Sequence, residues 1–214
     1  MQQFNWKEFY KHTGGRPPWP RLIRAVSLLT NKERALDLGC GAGRDTRYLL
    51  EQGLQVTAVD ADAHAMDILA TFPQERLRAV QSSFVDFEFE SYDIINAHFS
   101  LPFLARDQFY DVFGRVREAL CPGGIFVGQF FGIHDGWNTP ERAEKMTFLT
   151  RDEAMQALQG LEVVEFEEED IDSHVADGSP KHWHVFHIIA RVNDAEKGGH
   201  KAHRPASTPP PPLL

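Results

Sequence analysis

The sequence predicts an α/β fold with a mostly parallel sheet of seven strands, helices on both faces and a C-terminal antiparallel hairpin. Two observations lead to this prediction. Short apolar runs alternate with helical patterns as far as residue 131, which is typical of parallel strands joined by crossover helices. Two longer strand-like runs then follow, and the polar loop between them is too short for a crossover helix, so we expect them to pair antiparallel.

The individual elements are expected where apolar runs are bounded by turn residues. The five parallel strands are 34–38, 55–60, 76–81, 92–98 and 124–131, and the hairpin strands are 161–170 and 182–192. The helix that follows the glycine-rich segment should end at Gly53, and Asp62 should cap the next helix. A helix over 106–120 carries an apolar stripe, and Thr150 with Glu153 forms a capping box for the last helix.

The chain length suits one domain, which we place at 1–193, with an N-terminal helix and lid over 1–30. From Asp194 onward the apolar pattern disappears, while the content of Gly, His, Lys and Pro rises. A segment of that composition has little apolar surface to bury. We therefore expect residues 194–214 to be a disordered, proline-rich tail.

The charge and composition exclude several classes of partner. A net charge of −9 disfavours nucleic acid, because binding of phosphates needs clustered Lys and Arg. No apolar run approaches the roughly 18 residues of a membrane helix, and the N-terminus has no apolar segment of a secretory signal. Cys40 and Cys121 have neither disulfide nor zinc spacing. We expect a cytoplasmic protein, whose oligomeric state has no signature in the chain.

The segment LDLGCGAGRD (36–45) predicts a loop that approaches a nucleotide-like ligand closely. Its glycines are spaced G-x-G-x-G, at Gly39, Gly41 and Gly43, and Asp37 lies at the end of the preceding strand. The dinucleotide fingerprint is G-x-G-x-x-G, and Arg44 stands where its third glycine is required. The spacing therefore disfavours NAD.

Acidic residues at the next two strand ends favour a nucleoside. Asp60 lies 21 residues after Gly39, near the position expected of an acid that binds ribose hydroxyls. After the third strand, Asp86 is placed to accept a hydrogen bond from an exocyclic amine, with Phe84 or Phe87 beside a purine face. Together these positions predict an adenosine site without phosphate recognition.

At this point a family resemblance is clear. The motifs LDLGCGAGRDTRYL, VTAVDAD, the acid at Asp86, YDIINAHFSLPFL and LCPGGIFVGQFFG resemble those of class I S-adenosylmethionine-dependent methyltransferases, over residues 6 to 192. The segments FYKHTGGRPP, GQFFGIHDGW, MTFLT and KHWHVFHIIA are similar to a bacterial small-molecule branch close to tellurite-resistance methyltransferases. The resemblance implies a Rossmann-like fold and S-adenosylmethionine as cofactor.

The resemblance also implies roles for individual residues. Gly39, Gly41 and Gly43 would line the methionine and ribose portions of the cofactor, and Asp60 would bind the ribose hydroxyls. Asp86 and the Phe87 backbone would bind adenine. Ala97 and His98 would flank the methionine portion. In this branch the N-terminal segment folds over the cofactor, so Arg16 is a candidate for its carboxylate, with Tyr10 and Trp19 closing the lid.

Methyl transfer to a small acceptor requires alignment more than a base. Candidates for the acceptor side are His98, His134 and Asp135, with Phe131 and Trp137 as walls. We expect the acceptor to arrive as a soft anion or thiolate, so that neither histidine is an essential base. Oxyanions of tellurium or selenium, thiols, carboxylates and amines all remain open. The rival hypothesis is a module that binds the cofactor without transferring its methyl group.

Three histidines near the C-terminus raise the question of a metal. His182 and His184 would share one face of a strand, whereas His187 falls on the other face. No nearby cysteine completes a zinc site. We therefore expect these histidines to be structural or part of a substrate loop, and we expect no metal.

Overall fold

The computed structural model describes residues 6–193. The strands are β1 (Arg34–Leu38), β2 (Gln55–Asp60), β3 (Leu77–Gln81), β4 (Tyr92–Ala97), β5 (Leu120–Gly132), β6 (Phe148–Leu149), β7 (Glu162–His174) and β8 (Pro180–Arg191). The helices are α1 (Trp6–Thr13), α2 (Pro20–Ser27), α3 (Arg44–Glu51), α4 (Ala63–Leu69), α5 (Arg106–Ala119), α6 (Pro140–Ala143) and α7 (Arg151–Ala157). A 3-10 turn lies at Leu101–Phe103.

The sheet confirms the predicted fold class. Its strand order is β3-β2-β1-β4-β5-β8-β7, with β6 paired to β5 outside this path. The strands β1 to β5 are parallel, and β8 runs antiparallel to both β5 and β7. The strand order reverses between β1 and β4, which is the switch point where ligands bind in open α/β sheets.

Three predicted strand limits are wrong, at the start of β5, the end of β7 and the start of β8, because the backbone pairing continues beyond the predicted runs. The strand β5 begins at Leu120 instead of residue 124, because Tyr92 pairs with Leu120 before the register shifts to Ile94 with Ile125. The hairpin strands extend to the pair His174 and Pro180, since the backbone pairing continues almost to the turn. The two-residue strand β6 was not predicted, and its short length gives it no sequence pattern.

The helix end signals are confirmed. Asp62 caps α4, its side chain accepting the His64 N–H, and the capping box of Thr150 and Glu153 is complete. Gly53 follows α3 with a φ of 88°. The helices α3 and α4 follow the loops after β1 and β2, and these two loops contribute residues to the candidate functional site.

Both faces of the sheet are covered, as a parallel sheet requires. On one face, the predicted apolar stripe of α5 is buried, including Phe109, Val112, Phe113 and Val116. On the other face, buried residues of α2, α3 and α4 form the second core. Among residues 6–193, no helix is long and apolar enough to cross a membrane. Residues 194–214 lie outside the described range, so disorder of the tail stays a prediction.

Candidate functional site

The glycine loop lies at the switch point, between β1 and α3. Its glycines all have positive φ, at 85° for Gly39, 50° for Gly41 and 72° for Gly43. A β-carbon on Gly39 would clash with the Cβ of Ser100, which follows β4, so the two backbones approach closely. The predicted turn is formed, and its conformation favours glycine at each position.

Asp60 ends β2 beside this loop. Its Oδ2 accepts a hydrogen bond from the Gly41 N–H at 2.9 Å, and its Oδ1 accepts one from the Asp62 N–H at 3.0 Å. Burial raises the pKa of the Asp60 carboxyl, and these backbone donors oppose the shift. Tyr10 of α1 covers the loop, since a β-carbon on Gly41 would lie 3.1 Å from its Cε1. The predicted ribose-binding acid therefore borders the predicted cofactor loop.

A buried polar network joins β1, α3 and β4 beside the loop. The Asn96 amide donates to Asp37 Oδ1 at 2.8 Å and to Asp45 Oδ2 at 3.3 Å, while Thr46 donates its hydroxyl to Asp37 Oδ2. Burial, together with the neighbouring Asp45 carboxyl, raises the pKa of Asp37 to about 7. Both oxygens of Asp37 are thus engaged, so its evident role is to fix the three elements together.

His98 follows β4 and lies at the end of this network. Its Nδ1 is in hydrogen-bond contact with Asn96 Oδ1 and lies 3.8 Å from Asp45 Oδ2. Its Nε2 is buried and has no hydrogen-bond partner among residues 6–193. Burial first, and then the Arg44 charge, lower the pKa of His98 well below its ordinary value. The ring is therefore neutral at neutral pH. Ala97, the residue before it, is the fully buried end of β4.

The segment before α2 covers His98. The Trp19 ring lies parallel to the His98 ring, with centroids 5.7 Å apart, and the Arg44 guanidinium lies 4.2 Å from the Trp19 centroid. The Trp19 N–H also donates to Asp45 Oδ1 at 3.3 Å. Arg16 and Arg44 line a cavity of about 160 Å³, and Arg44 Nη2 is buried without a hydrogen-bond partner in the described chain. The N-terminal segment is thus held at the site.

The loop after β3 contains the predicted adenine-binding residues. Asp86 is exposed, and its Oδ2 accepts the Ser83 hydroxyl at 2.6 Å. The Phe87 side chain is buried in the core, and its N–H already donates to the Ser83 carbonyl at 3.1 Å. Phe84, by contrast, borders the glycine loop, 3.3 Å from a β-carbon on Gly39. Of the two phenylalanine rings, that of Phe84 lies beside the glycine loop, and the role of the Phe87 backbone stays a prediction.

Phe99 lies with its ring between Trp19, which covers His98, and a cluster of aromatic rings near β5. Its ring centroid lies 5.1 Å from that of Trp19 and 6.1 Å from that of Phe131. It is the only non-glycine residue with positive φ, 50°, within residues 6–193, and its N–H donates to the Gln129 side chain at 2.9 Å. Such strain often lies at functional sites. The ring centroid of Trp137 lies 6.0 Å from that of Phe131, so the two rings predicted as walls lie beside each other.

Asp135 forms a buried ion pair beside these walls. Lys181 Nζ lies 2.6 Å from each oxygen of Asp135, and the two side chains are 2% and 0% exposed. The Trp137 N–H donates to the same carboxylate at 2.9 Å. The Lys181 ammonium also lies over the Trp183 ring, 3.6 Å from its centroid. Asp135 therefore binds its own chain and organises the loop after β5.

His134 lies in the loop after β5 and packs against the exposed face of the C-terminal hairpin. Its Nδ1 lies 2.8 Å from Asp170 Oδ2, and its ring stacks on His184 at 4.7 Å. His182 Nε2 contacts the other oxygen of Asp170 at 2.6 Å. His187 faces the opposite side, as predicted, within 3.8 Å of Glu169.

The histidine cluster of the hairpin brings together possible metal ligands. Ligand atoms of His134, Asp170 and His184 lie within 4.8 Å of one another. However, His184 Nδ1 accepts the His134 N–H at 3.0 Å, so the ring proton is on Nε2, which faces Glu168 at 3.0 Å. That ring offers no free lone pair. The expectation of no metal stays a prediction that this hydrogen bonding favours.

The structure thus brings together the glycine loop, Asp60, Asp37 and His98, with Arg16 at their edge. Phe131, Asp135 and Trp137 form a second group, and His134, in the loop after β5, packs against the hairpin. Sequence reasoning missed Asn96, Asp45 and Lys181, and it treated Arg44 only as a departure from a dinucleotide motif. A polar residue within the apolar run of β4 was the available signal for Asn96.

Comparisons with known proteins agree with this geometry. Residues 36–126 match the model of a methyltransferase domain. The chain is 28% identical over 132 residues to carboxy-S-adenosyl-L-methionine synthase of Stutzerimonas stutzeri, covering 52% of each protein. It therefore spans about half the length of that relative. It is also 39% identical over 93 residues to the cypemycin N-terminal methyltransferase of a Streptomyces species, covering 42% of this chain and 38% of the relative.

Solved structures show the same fold. TehB from Haemophilus influenzae superposes with a TM-score of 0.69 at 18% identity, covering 82% of this chain and 62% of TehB. The 1,6-didemethyltoxoflavin-N1-methyltransferase of Burkholderia thailandensis, solved with its acceptor and S-adenosylhomocysteine, has a TM-score of 0.61 at 24% identity. That match covers 82% of this chain and 79% of the neighbour.

Proposed function

We propose that the chain is a class I S-adenosylmethionine-dependent methyltransferase that transfers the methyl group of this cofactor to a small acceptor. The match of residues 36–126 to a methyltransferase domain and the fold shared with TehB support this proposal. The observation that carries the proposal is the junction of Gly41 and Asp60, where a carboxylate is held against the glycine loop at the switch point. The net charge of −9 supports a small acceptor over nucleic acid.

The described residues fit such a cofactor. The glycine loop would approach its methionine and ribose portions, Asp60 would accept from the ribose hydroxyls, and Asp86 with Phe84 would border the adenine. Arg16 and Arg44 would hold the carboxylate, since Arg44 Nη2 is buried without a partner in residues 6–193 and guanidinium groups bind carboxylates well. Bound there, S-adenosylmethionine supplies an electrophilic methyl group.

The chain's contribution to the reaction is alignment and exclusion of water. Trp19 and Phe99 would close the site beside His98, and the rings of Phe131 and Trp137 would form walls for the acceptor. Correct alignment of two reactants contributes about 7 to 11 kcal/mol to lowering the barrier. This term is large enough to account for most of the rate enhancement in a transfer to a good nucleophile.

The test is calorimetric titration with S-adenosylhomocysteine and NAD, followed by methyl transfer to thiols, N–H heterocycles, selenite and tellurite, with products identified by mass spectrometry. We expect binding of S-adenosylhomocysteine, no comparable binding of NAD, and turnover with at least one acceptor. Preference for NAD would refute the cofactor assignment. Tight cofactor binding with no turnover across the whole panel would favour the rival function, a cofactor-binding module without transfer.

A further inference from the structure

We propose that His98 Nε2 accepts a proton from the methyl acceptor, so that the acceptor is an N–H or S–H nucleophile that arrives protonated. This inference rests on the proposed function and names the chemical class of its acceptor. It departs from the expectation drawn from the sequence, which was an acceptor already ionised and two histidines of minor importance.

The hydrogen bonds of Asn96 fix the tautomer of His98. The Asn96 amide nitrogen donates to Asp37 and Asp45, so its oxygen is the atom that faces His98 Nδ1. An amide oxygen only accepts, and therefore Nδ1 must carry the ring proton. The remaining nitrogen, Nε2, is left with its lone pair free.

That lone pair is buried without a partner in the described chain, although buried polar atoms are nearly always hydrogen-bonded. The His98 side chain is 2% exposed, between the switch point and the ring of Trp19. His184 of the hairpin uses both ring nitrogens, whereas the two nitrogens of His187 on β8 are also buried without a hydrogen-bond partner in residues 6–193. What distinguishes His98 is that its unpartnered nitrogen belongs to a ring at the switch point whose tautomer Asn96 fixes, and this place points to a role with a bound molecule.

The charges around His98 suit a transient proton. Burial and Arg44 keep the ring neutral before the reaction, because both lower its pKa, and smaller contributions of the same sign come from His187 and Arg21. Asp45 Oδ2 lies 3.8 Å from Nδ1, close enough to stabilise an imidazolium once it forms. Asp37 is linked to the same amide of Asn96. The ring is thus unprotonated before the reaction, and once protonated it gives the proton up readily.

The proposed step balances in atoms and electrons. The lone pair of the acceptor nitrogen or sulfur forms a bond to the methyl carbon, and the carbon–sulfur bond breaks with its electron pair left on the cofactor sulfur. The acceptor's N–H or S–H proton passes to His98 Nε2. The resulting imidazolium then releases that proton to water when the Trp19 segment opens. Asn96 is a positioning residue in this step, because it acts only through His98.

The first experiment compares thiols that differ in ionisation. Aryl thiols that are ionised at the assay pH need no base, whereas alkyl thiols that are protonated do. His98→Phe keeps a flat ring beneath Trp19, and we expect it to reduce turnover of the protonated thiols at least a hundredfold but that of the ionised thiols roughly tenfold or less. The matched control is His174→Phe on the exposed hairpin, which should change neither. Equal losses for both classes would overturn the proposal.

The second measurement is independent of any variant and of any acceptor. The imidazole nitrogens of His98 are followed by ¹⁵N NMR in the intact protein with bound S-adenosylhomocysteine. We expect a protonated Nδ1 and an unprotonated Nε2 at neutral pH. A protonated Nε2, or a doubly protonated ring, would overturn the proposal while leaving the cofactor assignment intact, since calorimetry reports cofactor binding separately.

Discussion

The buried end of β4 and the exposed face of the C-terminal hairpin use histidine in opposite ways. At the end of β4, His98 is buried and neutral, because burial lowers its pKa, and Asn96 fixes its tautomer while Nε2 has no hydrogen-bond partner within residues 6–193. On the hairpin, His182 is paired with Asp170 and Asp172, and these carboxylates raise the pKa of its ring. The difference shows that burial and partners, more than residue type, decide which histidine suits chemistry.

The largest expected effect is a loss of turnover at the end of β4 that has no equal beside the hairpin. With a protonated acceptor, His98→Phe should lower turnover at least a hundredfold, because a general base contributes about a hundredfold to ten-thousandfold. His134→Ala should cost roughly tenfold or less, since its ring is paired with Asp170 and exposed. Steady-state kinetics on both variants makes the comparison. A thousandfold loss in the His134 variant with intact cofactor affinity would place the base on the hairpin instead.

The Lys181–Asp135 pair should show a large effect on stability. Lys181→Met removes one partner and leaves the Asp135 carboxylate buried without its counter-charge, which typically costs about 3 to 5 kcal/mol. Denaturant unfolding measures the free energy. The matched control is Arg151→Met, which breaks an exposed pair with Glu168 and should cost about 1 kcal/mol or less. Similar losses in the two variants would contradict the structural role of the buried pair.

A smaller effect should appear in the pH dependence of stability. The pKa of Asp37 is raised in the folded state to about 7, so the folded protein binds the extra proton. Stability from this group is fully present below its unfolded pKa of about 3.9 and is lost as the pH rises through about 7. Asp37→Asn should therefore flatten the decline in unfolding free energy across that window, relative to wild type. If the unfolding free energy of Asp37→Asn changed between pH 4 and pH 7 as much as that of the wild type, the raised pKa of Asp37 would be contradicted.

The sequence could predict the parts of the site that depend on local signals. The glycine spacing required a tight turn, and the run ending at Asp60 placed a carboxylate at a strand end. The contact between Asn96 and Asp45 joins residues 51 positions apart, so no local pattern announces it. The same holds for Lys181 and Asp135, which are 46 positions apart.

The fold could be predicted from the sequence more fully than the site, because the alternation of strands with helices and the signals at helix ends are local properties of the chain. The capping box at Thr150 and the hairpin were predictable for this reason. The tautomer of His98 was not, since it depends on which atom of Asn96 faces the ring. The orientation of the Asn96 amide is set by the carboxylates of Asp37 on β1 and Asp45 on α3. The pairing of His134 with Asp170 was not predictable either, since it joins residues 36 positions apart, and the place of His134 on the acceptor side stays a prediction.

The smallest effect is expected from the tail. Truncation after Asn193 should leave the melting temperature and the affinity for S-adenosylhomocysteine unchanged, because residues 194–214 offer little apolar surface. Differential scanning calorimetry and titration of the truncated chain measure both. A loss of several degrees would show that the tail packs on the domain.

The central claim is that the cofactor binds at the junction of the glycine loop and Asp60. Calorimetric titration of S-adenosylhomocysteine into wild type and Asp60→Ala tests it most directly. Hydrogen bonds to a charged group contribute about 1.5 to 3 kcal/mol each, so the variant should bind at least roughly tenfold more weakly. Asp67→Ala, a change of an exposed acid on α4, should bind as wild type does. Equal affinity of Asp60→Ala and wild type would contradict the account.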